Sequence, residues 1–164
     1  MIEHSSGFSL GEALDSESVA ACRELFLEYE KGLGVSLCFQ GFQKELDTLP
    51  GAYARPHGRL LLARVVGVPA GCGALRPLGE GDAEMKRLYV RSDYRGMGLG
   101  RMIAECIIDD ARAIGYRTLK LDTLPAMEEA QALYQSLGFS ECAKYNDNPV
   151  GGVRFLAMNL AGKP

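Results

Sequence analysis

Three glycines alternate along residues 96–100 of the segment YRGMGLG, directly before a stretch with the periodicity of an amphipathic helix. Glycine in a helix costs roughly 1 kcal/mol relative to alanine, so three glycines where a helix begins require a physical reason. A helix N-terminus presents four main-chain N–H groups without partners and about half a positive charge. Glycines let a phosphate approach these groups without meeting a Cβ atom. The segment therefore predicts a site for a phosphate-bearing ligand.

The charge around the glycines agrees with a phosphate site. Residues 86–101 contain one acidic residue, Asp93, and five basic residues, a local charge of +4 in a chain of net charge −3. The basic residues are Lys86, Arg87, Arg91, Arg95 and Arg101. In the alternative interpretation, the glycines serve only a tightly packed turn and the arginines form a solvated face. The basic cluster favours the ligand.

Two other phosphate-binding patterns can be compared with this segment. The P-loop pattern GxxxxGK[ST] does not occur in the sequence, which disfavours a nucleoside triphosphatase. The dinucleotide fingerprint GxGxxG finds two glycines at Gly96 and Gly98, but Arg101 at its third position is too large for the required helix–strand contact. Asp122 closes the next predicted strand, about where a ribose-binding acid would stand. The motif nevertheless follows three consecutive strands, and this position disfavours a dinucleotide site.

Hydrophobic periodicity predicts the elements that must position this segment. The predicted strands span 8–14, 59–66, 70–78, 83–91, 117–123, 139–145 and 152–160. The predicted helices span 15–34, 42–49, 99–114 and 126–139. The order is one strand, two helices, three strands, then helix, strand, helix and two strands. This order predicts a mixed α/β fold (α+β mixed sheet) around one sheet.

Length and composition restrict the class of protein. A chain of 164 residues predicts a single domain over 1–164, and 47% hydrophobic with 24% charged residues is typical of a soluble globular protein. The net charge of −3 provides no basic field for nucleic acid. The most apolar stretch, 60–75, is interrupted by Arg64 and Pro69, so it predicts two strands and no membrane contact.

The number and spacing of cysteines and histidines indicate the cellular compartment and whether the protein binds a metal ion. Five widely spaced cysteines and the lack of a signal-peptide pattern at the N-terminus argue against a disulfide framework and predict a cytoplasmic protein. No CxxC pair occurs, and the only histidines are His4 and His57. The sequence therefore predicts no metal site.

Three segments together carry a family resemblance. RGMGLG (95–100) has the form Arg-x-x-Gly-x-Gly; EMKRLYV (84–90) precedes it and ALYQSLGF (132–139) follows it. At this spacing, over about residues 82–140, they strongly resemble the GCN5-related N-acetyltransferase (GNAT) superfamily. The predicted element order extends the resemblance over nearly the whole chain. It implies a GNAT-like acyl-CoA N-acyltransferase fold, with a central twisted mixed sheet flanked by helices, and acetyl-CoA as co-substrate.

The resemblance also implies where acetyl-CoA binds. Main-chain N–H groups of 95–100 would hold its pyrophosphate, and the strand 88–90 would pair with its pantetheine arm where strands 83–91 and 117–123 splay apart. The N–H of Val90 would be the oxyanion donor. The implied cofactor-binding residues are Leu88, Tyr89, Val90, Arg95, Gly96, Met97, Gly98, Leu99, Gly100, Arg101, Met127 and Ala130. Met127 stands where many members have an asparagine, so a polar contact is lost there or supplied elsewhere.

Amine acetylation requires a deprotonated nitrogen, a polarised thioester and a protonated leaving thiol. Glu84 occupies the strand position where some family members carry a general base, which takes the ammonium proton directly or through one water. The alternatives are that Glu84 only orients the substrate or lies on the surface, or that Asp82 is the base.

Tyr134 matches the tyrosine of the family pattern L-Y-x-x-x-G-F. A phenol has a reference pKa of about 10 and a thiol about 8.5, so the phenol is neutral near pH 7 and can protonate the leaving thiolate. The alternative is a half-buried helix tyrosine beside the core. None of the cysteines has a histidine close in sequence, so direct transfer is predicted over an acyl-cysteine intermediate.

The acceptor is the least specified part of the prediction, since one fold serves many substrates. Its pocket is expected from residues 31–42 and 144–155, where Tyr145, Asn146, Asn148 and Arg154 are polar candidates. Arg154 could pair with a carboxylate of the acceptor, but a surface arginine is the favoured interpretation. The predicted acceptor is a small-molecule primary amine; a protein N-terminus or lysine is second. A non-catalytic acyl-CoA-binding sensor is the alternative from another class, and the retention of both catalytic candidates argues against it. The resemblance is compatible with a homodimer.

Overall fold

The computed structural model describes residues 2–3, 7–38 and 41–161. The strands and α-helices in these residues are β1 (Ile2–Glu3), β2 (Phe8–Glu12), α1 (Ser16–Leu33), α2 (Phe42–Thr48), β3 (Arg59–Val65), β4 (Val68–Gly79), β5 (Asp82–Val90), α3 (Leu99–Ile114), β6 (Thr118–Thr123), α4 (Glu128–Leu137), β7 (Ser140–Glu141) and β8 (Arg154–Asn159). His4 and, in the predicted acceptor segment, Phe39 and Gln40 lie outside the described residues. Within the described ranges, no helix combines the length and apolarity needed to cross a membrane.

The strands form one mixed sheet in the order β1-β2-β3-β4-β5-β6-β8-β7. Neighbouring strands are antiparallel except β5 and β6, which are parallel. Parallel neighbours cannot be joined by a hairpin, and α3 makes the crossover between them. The predicted mixed α/β fold is confirmed, and so is the order of its elements from β2 onwards.

Different helices cover the two faces of the sheet. Along β3, Leu61 packs in a buried cluster with Ile103 of α3 and Tyr134 of α4, whereas Leu60 packs in a second cluster with Phe26 of α1. Successive side chains of a strand point to opposite faces. The helices α3 and α4 therefore lie on one face, and α1 lies on the other.

Helix boundaries follow local chemistry. Asp15 caps α1, its carboxylate accepting the main-chain N–H of Ser18 at 2.8 Å. Gly115 ends α3 with φ of 109°, the left-handed conformation in which glycine carries no Cβ penalty. The predicted helix spans 15–34 and 99–114 therefore agree with α1 and α3 to within one residue at each end.

Three strand predictions differ from the structure. The two-residue strand β1, which pairs with β2, was not indicated by the sequence pattern. Strand β4 resumes at Val68, so the turn after β3 is only Val66-Gly67, with φ of 47° and 79°, and the predicted turn at 67–69 is one residue too late. Strand β7 ends at Glu141, well before the predicted end at 145, because Tyr145 leaves the sheet to contact β5.

The parallel strands separate beyond their first positions. Asp82, Ala83 and Glu84 of β5 pair with Thr118, Leu119 and Lys120 of β6, and no register pair follows along these fully described strands. The predicted splaying of the two strands is therefore confirmed. One edge of β5 remains open from residue 86 to residue 90.

Candidate active site

A cleft of about 730 Å³ opens beside the part of β5 that has left β6. It is bounded by the end of α1, the end of β5, the turn before α3 and the start of α4. Of the predicted cofactor-binding residues, Met97 does not line the cleft. The other eleven do; they are Leu88, Tyr89, Val90, Arg95, Gly96, Gly98, Leu99, Gly100, Arg101, Met127 and Ala130. Segments distant in sequence thus meet at one cavity.

The glycine turn leaves space on its cleft side. Gly96 and Gly98 have φ of 80° and 85°, and no other atom lies within 4 Å of where a Cβ would stand. Gly98 is the N-cap of α3, and no side chain caps that helix. The first N–H groups of α3 are thus available to a phosphate, which the helix dipole also favours.

The bulge of β5 directs main-chain groups into the cleft. The β4–β5 register shifts between Cys72 and Ala74, opposite Arg87, whose φ is 59°. Beyond it, Arg91 donates its main-chain N–H to the Ala70 carbonyl at 2.8 Å. Successive N–H groups of a strand point to opposite sides, so the N–H of Val90 faces the gap left by β6. This orientation suits the predicted oxyanion donor.

The positive charge available at the cleft is smaller than the sequence total of +4 for residues 86–101. Arg87 donates to the Glu45 carboxylate at 2.9 and 2.8 Å, and this ion pair attaches α2 to the bulge. Arg91 donates to Glu28 of α1 at 2.9 and 2.6 Å. Their charges are therefore matched by acids distant in sequence. Of the five basic residues, only Arg95 and Arg101 line the cleft.

Tyr134 lies on the wall of a second, small cavity of about 30 Å³. This cavity adjoins the cleft, because both are lined by Tyr29, Leu33 and Leu88. The Tyr134 ring is 6% exposed and packs edge-on against Phe139, while its hydroxyl forms no hydrogen bond with any described residue. Burial raises the pKa of this phenol well above its usual value, so it stays protonated at working pH. It can donate a proton to a group entering the cavity.

Glu84 is buried in the structure, whereas a general base must be accessible to the amine. Its side chain is 1% exposed and lines neither cavity. One carboxylate oxygen accepts a hydrogen bond from Nε of Arg76 at 2.8 Å and lies 2.7 Å from Nη2 of the same guanidinium. The other oxygen accepts the Tyr145 hydroxyl at 2.6 Å. Glu84 would have to exchange one of these partners to take a proton, and its role as the base stays a prediction.

Asp122, which the sequence suggests only as a ribose-binding acid, lines the same small cavity as Tyr134. Its Oδ2 atom accepts the side-chain amides of Asn146 at 2.9 Å and Asn148 at 3.3 Å. Asp122 stands two residues past Lys120, the last residue of β6 that pairs with β5, so it lies where the two strands part. Arg154 donates to Glu141 and Gln131 and lines neither cavity, in agreement with the favoured interpretation as a surface arginine.

An open strand edge that ends at an uncapped helix N-terminus can pair with an amide-bearing arm and bind a phosphate, which suits the acyl-CoA-dependent transfer that the sequence resemblance implies. The sequence model of the Acetyltransferase (GNAT) family matches residues 19–139. An uncharacterized N-acetyltransferase of Schizosaccharomyces pombe is 38% identical over 139 residues, which cover 84% of this chain and 85% of that protein. The chain belongs to the GNAT family of acetyltransferases.

Solved structures agree on the fold. A GNAT-family acetyltransferase of Staphylococcus aureus superposes with a TM-score of 0.80 at 20% identity, covering 93% of this chain and 99% of that chain. A Salmonella typhimurium protein solved with its cofactor acetyl-CoA gives a TM-score of 0.68 at 18% identity, covering 96% of each chain. The protein is an N-acetyltransferase with acetyl-CoA as co-substrate.

The residues of the cleft fit this co-substrate. The open Cβ positions of Gly96 and Gly98 leave room for a pyrophosphate at the start of α3. The free edge of β5 provides main-chain groups for an amide-bearing arm. In the described part of the chain, no group of three or more histidine, cysteine, aspartate and glutamate side chains is placed to hold a metal ion.

Proposed function

We propose that the protein transfers the acetyl group of acetyl-CoA to the primary amine of a small metabolite, directly within a ternary complex. The observation that carries this proposal is the position of Tyr134. Its protonated, unpaired hydroxyl lines a small cavity that joins the cleft at Leu88, on the open edge of β5. A cavity of about 30 Å³ suits the head of a small amine better than a bulky acceptor.

Acetyl-CoA supplies the acyl group in activated form, as a thioester. The first N–H groups of α3 hold the pyrophosphate, and Leu88 to Val90 orient the pantetheine arm along β5. The Val90 N–H donates to the carbonyl oxygen as negative charge develops there. Tyr134 donates a proton to the departing sulfur. Residues of α1, β5, β6 and α4 enclose the reacting atoms and limit access of water.

Two measurements test the proposal. Thiol release from acetyl-CoA is assayed with propylamine, ethanolamine, β-alanine, 1,4-diaminobutane and a lysine-containing peptide. The proposal expects a small amine to give the highest kcat/KM and initial-rate lines that intersect, as for a ternary complex. A preference for the peptide would overturn the small-metabolite assignment, and parallel lines would indicate a covalent acetyl-enzyme.

The cleft assignment is tested separately by calorimetry. Acetyl-CoA should bind with a far lower Kd than NAD or ATP, because the open edge of β5 suits an extended chain that contains amide bonds, and neither nucleotide has such a chain. Equal binding of NAD with no heat from acetyl-CoA would overturn the assignment.

A further inference from the structure

A row of charged side chains runs along β5 and β6 on one face of the sheet. In the parallel register Glu84 lies beside Lys120, so Lys86 and Asp122, each two residues further, also belong to this face. The residues between them pack into the cluster beneath α3, on the opposite face; they are Ala83, Met85, Leu119 and Leu121. The charged row therefore faces away from α3.

The three carboxylates of this row differ in their partners. Asp82 forms an ion pair with Lys120 at 3.2 Å, and Glu84 forms one with Arg76 at 2.7 Å. Asp122 has no ion pair with any residue that the structure describes, and both of its hydrogen bonds end on Oδ2. Its second oxygen, Oδ1, thus keeps its capacity to accept.

The environment of Asp122 is that of a binding group. It lines the cavity that also holds Tyr134, which connects it to the cleft. The titratable groups whose charges act on it come from four elements: Lys86 of β5, Tyr29 of α1, Tyr134 of α4 and Tyr145 of the loop before β8. Burial raises the pKa of each of the three tyrosines, so near neutral pH they add no negative charge.

We propose that Asp122 binds the ammonium group of the acceptor through Oδ1 and receives its proton. The inference rests on the proposed function, since it names the group that prepares the amine for transfer. A primary ammonium would donate to Oδ1, which accepts no hydrogen bond from any described residue, and it would bind beside the Lys86 ammonium, whose charge also acts on Asp122. The amides of Asn146 and Asn148 fix the carboxylate by Oδ2 and so orient Oδ1.

The proton balance is as follows. One proton passes from the ammonium nitrogen to Oδ1 of Asp122, and the freed lone pair forms a C–N bond with the thioester carbonyl carbon. The C–S bond breaks, and the sulfur takes the Tyr134 hydroxyl proton. The nitrogen loses a second proton, which restores Tyr134 through solvent. Asp122 then releases its proton to solvent, so each turnover yields an amide, a thiol and one proton.

The test compares the variant Asp122→Asn with two others that each remove one negative charge. Asp147→Asn is the matched control, because Asp147 is fully exposed in the same loop as Asn146 and Asn148. Glu84→Gln removes the competing candidate. For each protein, kcat/KM is measured from pH 6 to 10 with the panel amine that wild type acetylates fastest, and the Kd for acetyl-CoA is measured by calorimetry.

Asp122→Asn should lower kcat/KM for the amine about 10²-fold at pH 7, as for loss of an acid–base partner. The loss should shrink as pH approaches the pKa of the amine, since more amine is then already deprotonated. Its acetyl-CoA Kd should match wild type, and Asp147→Asn should behave as wild type throughout. If Asp122→Asn does not fold, Asp122→Ser takes its place, because a hydroxyl oxygen still accepts from the amides.

A wild-type pH profile for the Asp122 variant would overturn the proposal. The same holds if Glu84→Gln, and not Asp122→Asn, shows the loss that shrinks with pH. A different observation would contradict the proposed function: a folded wild-type protein that binds acetyl-CoA but releases no thiol with any of the amines. That result would overturn both proposals, whereas an active wild type with an insensitive Asp122 variant overturns only this one.

Discussion

The Tyr145 hydroxyl donates a 2.6 Å hydrogen bond to Oε2 of Glu84, a residue 61 positions earlier in the chain. Glu84 is buried in the middle of the sheet, whereas Tyr145 belongs to the loop between β7 and β8. The bond attaches this loop, with Asn146 and Asn148, to the strand that borders the cleft.

Removing this hydroxyl should affect both stability and acceptor binding. Tyr145→Phe leaves a buried carboxylate oxygen without its donor, which should lower the free energy of unfolding by about 1–2 kcal/mol. KM for the amine should rise as the loop loosens, with the acetyl-CoA Kd unchanged. Tyr116→Phe is the control, because its hydroxyl donates to the exposed His57 carbonyl, away from both cavities. Equal amine KM values for the two variants would contradict the prediction.

Tyr134→Phe should be a catalytic change with little structural cost. The lost hydroxyl has no hydrogen-bond partner among the described residues, so thermal stability should stay close to wild type. We expect kcat to fall about 10²-fold, with an unchanged acetyl-CoA Kd, as for an interaction made mainly in the transition state. Single-turnover rates check that chemistry and not product release is being measured. A wild-type single-turnover rate would make Tyr134 structural.

The glycine turn can be tested with two substitutions that impose similar backbone strain. Gly98→Ala and Gly115→Ala each place a Cβ at positive φ, 85° and 109°, where no other atom lies within 4 Å. Each should lose roughly 1 kcal/mol of stability. Only Gly98 lines the cleft, so only Gly98→Ala should raise the acetyl-CoA Kd, about tenfold or more. Parallel losses of stability with equal Kd values would favour the interpretation that the glycines serve packing alone.

The arginines should separate into binding and structural groups. Arg101→Gln removes a cleft cation, so it should weaken acetyl-CoA binding and reduce the salt dependence of the Kd. Arg91→Gln breaks the hydrogen bonds to Glu28 and to the Pro69 carbonyl, so it should lower stability and leave the Kd unchanged. Titrations at 50 and about 300 mM salt, together with thermal melts, check both parts. A weaker Kd for Arg91→Gln alone would reverse the assignment.

Alkaline pH should destabilise the protein through Cys22. Burial raises the pKa of this thiol to about 12, whereas in the unfolded chain it ionises near 8.5. Between these values the folded state binds one proton more, so the unfolding free energy falls by about 1.4 kcal/mol per pH unit from this thiol. Cys22→Ala should therefore flatten the decline above pH 9, although it lowers stability at pH 7. Cys38→Ala, at an exposed site, is the control in denaturant titrations and should keep the wild-type slope.

Local patterns predicted most of the elements and the glycine turn, because their causes are local, whereas the other residues of the cleft were implied by the family resemblance. Residues 96–100 need open backbone at a helix start whatever surrounds them, and the periodicity of 99–114 identifies the buried face of α3. The partners of charged groups had no such signal. Arg87 meets Glu45 across 42 positions and Arg91 meets Glu28 across 63, so their neutralisation depends on how α1 and α2 pack.

The surroundings of Glu84 could not be predicted for the same reason. Its position on a strand was clear from the sequence, but its burial depends on Arg76 of β4 and Tyr145 of a distant loop. The predicted strand through residue 145 would have held Tyr145 in the sheet. Its departure, which shortens β7, produces the contact that encloses Glu84.

The parting of β5 and β6 has a mechanical consequence. The sheet consists of two panels, β1–β5 and β6–β8, which along these two fully described strands are joined by three paired positions near one end, as in a hinge. A molecule lying along the free edge of β5 would bridge the panels further from that hinge and stiffen them against each other. Binding of acetyl-CoA along β5 should therefore slow amide hydrogen exchange in β6 and β8, even though the cofactor need not touch these strands. The two panels would then open together as one cooperative unit and no longer separately.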